Sequence, residues 1–153
     1  MIRRLRLLRA FLLLLALGTV GLAASACVTV RFAGDYDEQV DASATQLQRR
    51  MDAFLTRLES LPEGDSARTY PANQQFYLDY AVDLRALEIR AAGQPRNGIT
   101  LEQIGLMQNS LEQLRSTHQA QNGLSTFSLG QYRTLFNSAW RAVLVFELAK
   151  KRT

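Results

Sequence analysis

The sequence predicts an all-α protein, an antiparallel bundle of four helices that follows a cleaved N-terminal signal. Three observations carry that expectation. Four stretches of the 153-residue chain repeat apolar residues at alternating spacings of three and four, the mark of one helix face turned to a core. No stretch alternates apolar and polar residues at period two, as a half-buried strand does. The chain also opens on a short basic segment followed by an uncharged apolar run, the order of an export signal.

Residues 1–26 form that signal. Arg3, Arg4, Arg6 and Arg9 make a positive n-region, which stays on the cytoplasmic side of the membrane during export. Residues 10–22 form the apolar h-region, Gly18 and Gly21 loosen it, and Ala23-Ala24-Ser25-Ala26 supplies the small residues a signal peptidase accepts. Cys27 follows directly. Small residues ahead of a lone Cys at the end of an h-region resemble the bacterial lipobox, although Ala24 stands where that motif most often has Leu. The resemblance implies cleavage between Ala26 and Cys27, a diacylglycerol thioether on Cys27 and acylation of the new amino terminus. Val28 is not the Asp that marks inner-membrane retention, so the resemblance implies the outer membrane, facing the periplasm, in a two-membrane envelope. Two other outcomes stay open. Ala24-x-Ala26 also fits ordinary secretion with the same cut, and residues 10–30 are uncharged, long enough to remain as an uncleaved anchor. All three outcomes put the remaining chain outside the cytoplasm.

Residues 27–34 read as a lipidated tether and 35–153 as the four-helix domain. The first helix is expected over 35–61, with Tyr36, Val40, Ala44, Leu47, Met51, Phe54, Leu58 and Leu61 as its seam. Asp35, Asp37, Glu38 and Asp41 come early and Arg49, Arg50 and Arg57 late, the order the helix dipole favours. Pro62 and Gly64 end it. After a polar loop over 62–72, a second helix over 73–92 carries Tyr77, Tyr80, Leu84, Leu87 and Ala91, and Gly93 fits the position just past its end.

For the third helix, Thr100-x-x-Gln103 reads as a capping box, with Ile99 and Ile104 at the hydrophobic-staple positions. Its stripe is Ile104, Met107, Leu111, Leu114 and His118, and Asn122-Gly123 stops it. The fourth repeats the device with Ser128-x-x-Gln131, flanked by Phe127 and Tyr132. Its wide apolar face, with Leu135, Phe136, Ala139, Trp140, Val143, Leu144 and Phe146, predicts the most buried helix. Lys150, Lys151 and Arg152 close it at the negative end of the dipole.

Composition removes several classes of function. The chain has 18 Lys+Arg and 14 Asp+Glu. Setting aside the four leader arginines leaves 14 basic and 14 acidic side chains, so the basic pI belongs to the signal and gives no reason to expect nucleic-acid binding. One Cys excludes an internal disulfide framework and a multi-thiolate metal site, and one His excludes the two-histidine metal motifs. No cofactor and no metal are expected.

His118 is the residue that invites a catalytic reading, as a general base or metal ligand. The alternative is a seam histidine near the third helix's C-terminus that meets free carbonyls. Arg115 stands where a Glu-x-x-His di-iron motif needs Glu. Asp35, Asp37, Glu38 and Asp41 lack the Gly and terminal Glu of a calcium loop, and 123–127 lacks the second Gly of a nucleophile elbow. Tyr70, Phe76, Tyr77 and Tyr80 fit either a groove or ordinary core. No catalytic residue is assigned.

The stretches Tyr36-Asp37-Glu38 to Gln46-Leu47-Gln48, and Phe136-Asn137-Ser138-Ala139 to Glu147-Leu148-Ala149-Lys150-Lys151-Arg152, are similar to small helical bacterial lipoproteins with no assigned activity. That resemblance implies an exported helical protein and supplies no catalytic residues. The expected function is therefore a non-enzymatic binding or structural module of the cell envelope. Its expected partners are membrane lipid, through acylated Cys27, and an envelope protein. The polar flank Gln103, Gln108, Asn109 and Gln113 is its expected working surface. The competing expectation is a periplasmic small-ligand binder or enzyme with a pocket between helices near His118.

Overall fold

The computed structural model describes residues 34–152; the signal, the cleavage site and Cys27 lie outside the described residues. Four helices follow one another, α1 (Glu38–Ser60), α2 (Tyr70–Ala92), α3 (Gly98–Gln121) and α4 (Thr126–Lys150), with one 3-10 turn (Ser66–Arg68) between α1 and α2. No strand occurs among the described residues, and none of their helices is long and apolar enough to cross a membrane. α1 packs chiefly on α4 and α2 on α3, while α1 with α2 and α3 with α4 complete the ring. Polar bonds between connections fix the direction of each helix. At one end Arg68 reaches the carbonyl of Leu124 and Glu63 reaches the amide of Thr126. At the other, Gly34 bonds Arg96 and Asp37 meets Gln94. The order is up, down, up, down, the antiparallel bundle that the sequence predicts.

The stripes go where their periodicity points. Val40, Ala44, Leu47, Met51, Phe54 and Leu58 of α1, Tyr77, Tyr80, Leu84, Leu87 and Ala91 of α2, and Ile104, Met107, Leu111, Leu114 and His118 of α3 are all buried. Phe136, Trp140 and Val143 of α4 join them.

The starts of the elements correct the sequence reading. α1 begins at Glu38 rather than residue 35, because the Asp37 carboxylate accepts the amides of Gln39 (2.8 Å) and Val40 (3.3 Å) and so caps the helix. α2 begins at Tyr70 rather than residue 73. Pro71 sits in its first turn, where a missing N–H costs nothing, and the Asn73 amide donates back to the carbonyls of Ala67 and Thr69.

Neither capping box forms. α3 starts at Gly98, so Thr100 lies inside it, fully buried, and donates its hydroxyl to Glu147 at 2.6 Å. Ile99 is half-exposed and does not close a staple. α4 is capped one turn early by Ser125, whose Oγ accepts the Ser128 amide at 3.1 Å, and Phe127 points to solvent.

α4 is also not the most buried helix. α1 buries seven side chains, all apolar, while α4 buries six, of which Glu147 and Lys150 are charged. Leu135, Val145 and Leu148 remain exposed. One face of α4 meets the core; its wide apolar surface is more than the bundle can cover.

Candidate functional site

Three polar clusters sit inside the apolar bundle, one near each end and one between. The middle one is a chain of donors. Trp140 Nε1–H donates to the Tyr80 hydroxyl at 3.1 Å, and that hydroxyl donates to the Leu47 carbonyl at 3.1 Å. It links α4, α2 and α1 and leaves neither ring's polar atom stranded.

The second cluster holds His118, fully buried near the C-terminus of α3. Nε2 lies 2.7 Å from the Arg68 carbonyl and Nδ1 2.7 Å from the Tyr77 hydroxyl. A carbonyl can only accept, so Nε2 carries the proton and Nδ1 takes the one that Tyr77 donates. Burial holds the imidazole below its ordinary value; the hydrogen bond to the Arg68 carbonyl opposes that, and the nearby Arg68 guanidinium adds to it. Burial likewise pushes the Tyr77 hydroxyl far up. Tyr70 and Tyr77 set their rings edge-on to the imidazole, each with centroids 5.8 Å away. His118 thus meets a free carbonyl as a seam histidine would, but the carbonyl belongs to the 3-10 turn instead of its own helix. No lone pair of the ring faces solvent. The four aromatic residues at 70, 76, 77 and 80 pack as core and rim: Phe76 stacks on Phe54 at 3.7 Å, and Tyr77 sets its edge against both.

Above His118 the connections make the surface. The Arg68 guanidinium is buried and donates to the Leu61 carbonyl at 2.8 Å and the Leu124 carbonyl at 2.5 Å, stitching the two connections together. A polar cleft of about 380 Å³ opens there, lined by Glu63, Asp65, Arg68, Thr69, Asn122 and Ser125 among others, and not by His118. Its two carboxylates are occupied: Glu63 accepts the Thr126 amide and Asp65 the Ala67 amide. The Thr126 bonds hold Glu63 below the usual carboxylate range.

The third cluster lies at the opposite end. Lys150 Nζ, buried, donates to Glu147 at 2.7 Å, Thr100 at 3.0 Å and Asn97 at 2.5 Å. Asn97 in turn donates to the Ala91 carbonyl at 2.9 Å. Glu147 Oε2 is buried without a hydrogen-bond partner among the described residues. Lys150 closes the C-terminal turn of α4 as an interior cation, and Lys151 takes the outer position with Nζ 5.2 Å from the Tyr36 ring.

The expected polar flank on α3 is divided. Gln108 donates to Glu88 at 2.8 Å and Gln103 is half-buried, while Asn109 and Gln113 face solvent. The acidic run at the start of α1 serves the helix: Asp37 caps it and Asp41 accepts the Tyr36 hydroxyl at 2.9 Å. No group of three or more metal-ligating side chains gathers among the described residues.

Gly34, the last residue of the expected tether, is part of the domain. It is buried, its N–H donates to the Arg96 carbonyl at 3.0 Å, and a Cβ there would stand 2.5 Å from the Pro95 carbonyl oxygen. Sequence reasoning missed Gly34, Arg68, Asn97 and Glu147. Glu147 and Lys150 do continue the Phe136, Trp140, Val143 spacing, so periodicity alone pointed inward where charge argued outward. No protein-family model, curated protein sequence or solved structure matches the chain.

Proposed function

We propose that this chain is an exported envelope lipoprotein, held by lipid on Cys27, whose helical bundle serves as a non-enzymatic binding or structural module. The observation that carries the reading is in the sequence: the single Cys stands directly after Ala24-Ser25-Ala26 at the end of an apolar leader. An unmodified thiol there would be exposed in an oxidising compartment, whereas thioether acylation removes that liability and supplies apolar area for the bilayer. The bundle supports a non-enzymatic role through the fate of its reactive groups. His118, Tyr77 and Lys150 are each engaged in interior hydrogen bonds, as is Oε1 of Glu147.

The test is the mass of the mature N-terminus from expressing cells. A peptide starting at Cys27 with added fatty-acyl mass is expected, and Cys27→Ser should leave the membrane fraction. A Cys27 peptide without acyl mass overturns the reading, and a peptide that retains residues 11–22 assigns an uncleaved anchor.

The second reading, a ligand binder or enzyme near His118, draws on the cleft over Arg68. His118 does not line that cleft, but it bonds the carbonyl of Arg68, which does. A ligand there should shift Arg68 and Asn122 resonances before those of His118.

A further inference from the structure

The way the chain enters the bundle sets which end can meet a membrane. Gly34 is locked to the 93–97 turn by its bond to the Arg96 carbonyl, and the Pro95 carbonyl leaves room for no side chain there. Asp37 adds a second tie, accepting from Gln94 at 3.0 Å. Only residues 28–33 separate Cys27 from this lock, and the seven steps from Cys27 to Gly34 span at most about 25 Å even when fully extended. Helices of 23 to 25 residues are roughly 35 Å long. A membrane attachment at Cys27 therefore reaches the 93–97 end easily and the 61–69 end only if the bundle lies down.

The chemistry of that end fits a headgroup layer. Arg96 takes the left-handed conformation, φ 59°, at the exposed turn, and Lys151 and Arg152 are exposed just past α4. The acidic residues where α1 begins, at the same end, are Asp35, Asp37, Glu38 and Asp41. Asp37 is committed to the α1 amides and Gln94, and Asp41 to Tyr36. Arg96, Lys151 and Arg152 keep their solvent exposure, with Lys151 Nζ 5.2 Å from the Tyr36 ring.

We propose that the 93–97 turn and the C-terminus of α4 form the membrane-facing end of the domain, where Arg96, Lys151 and Arg152 contact phospholipid phosphates. The inference deepens the lipid-anchor reading and rests on attachment near residue 27. The opposite end, with the Arg68 cleft, is then presented away from the membrane to whatever the module binds.

The experiment uses full-length protein extracted from expressing membranes and placed in nanodiscs of phosphatidylethanolamine and phosphatidylglycerol with a gadolinium-headgroup lipid. Amide relaxation enhancement is expected to be several-fold stronger over 93–98 and 149–152 than over 61–69 and 122–125. The combined variant Arg96→Glu, Lys151→Glu, Arg152→Glu should lose contact by about fivefold for each cation removed, with its circular dichroism unchanged. Strongest enhancement over 61–69, a uniform profile, or a band along Ile99, Leu106 and Leu135 would overturn the proposal, the last by showing a bundle lying on its α3–α4 side. The mass of the same sample separates the two readings. Acylated protein with a uniform profile overturns the orientation alone. Unacylated, uncleaved protein with the expected profile overturns the lipid reading alone.

Discussion

His118 is the plainest case of a side chain whose environment decides its role. The neutral ring satisfies one carbonyl and one hydroxyl, and a proton added to Nδ1 would enter a buried site beside the Arg68 guanidinium. Its folded value is lowered from 6.5, so the unfolded chain binds the proton more readily. Its contribution to stability is complete above 6.5 and is lost as pH falls below 6.5, until the lowered folded value is passed. Chemical denaturation at several pH values should show stability falling between pH 7 and 5, with a shallower slope in His118→Gln. Equal slopes would mean that the imidazole titrates normally. The Lys150–Glu147 pair makes a different demand. Removing one partner strands a buried charge, so Lys150→Met should cost about 3–5 kcal/mol, while Lys150→Met with Glu147→Leu should cost clearly less. A double variant as unstable as the sum of the single ones would show that no coupling exists between them.

At the scale of the element, the sequence was most legible in the middle of helices and least at their starts. Periodicity depends on many residues, so one atypical position does not hide it; a cap depends on one or two, and chemically equivalent candidates stand close together. Ser125 and Ser128 show this. Both precede α4's apolar run, and the Gln131 spacing favours Ser128. The folded chain uses Ser125, where the Glu63 carboxylate arrives from the first connection to take the Thr126 amide. That tertiary contact has no local signature. Thr100 has the same history: its hydroxyl serves Glu147 and Lys150, 47 and 50 residues away, so the local box loses it. Ser125→Ala should therefore cost about 1 kcal/mol and Ser128→Ala only a few tenths. Thermal melts of the two variants check it, and a larger loss at Ser128 would restore the later cap.

For the whole molecule, the bundle was legible because four stripes of similar length leave few ways to close a core. Its interior polar clusters were not, since each joins residues from three or more segments. The candidate membrane end was half legible: Cys27 stands out in the sequence, but only the fold shows that Gly34 closes against the 93–97 turn. Trp140 tests the assembly as a unit. It is 1 % exposed and is the largest fully buried side chain, and its N–H begins the chain of bonds that crosses from α4 through Tyr80 to α1. Truncation would open a cavity inside the bundle, where α4 is also joined to α1 by Arg133 with Asp52 and Glu59. Those ion pairs are partly exposed and contribute little beside the core. Trp140→Ala should cost roughly 3–5 kcal/mol, a large fraction of the 5–15 kcal/mol or so that holds a domain together. The melting temperature should then fall by about 10 °C or more. Trp140→Phe, which keeps most of the ring but donates nothing to Tyr80, should fall between that variant and the parent. A Trp140→Ala protein that melts within a degree or two of the parent would place this face of α4 outside the core.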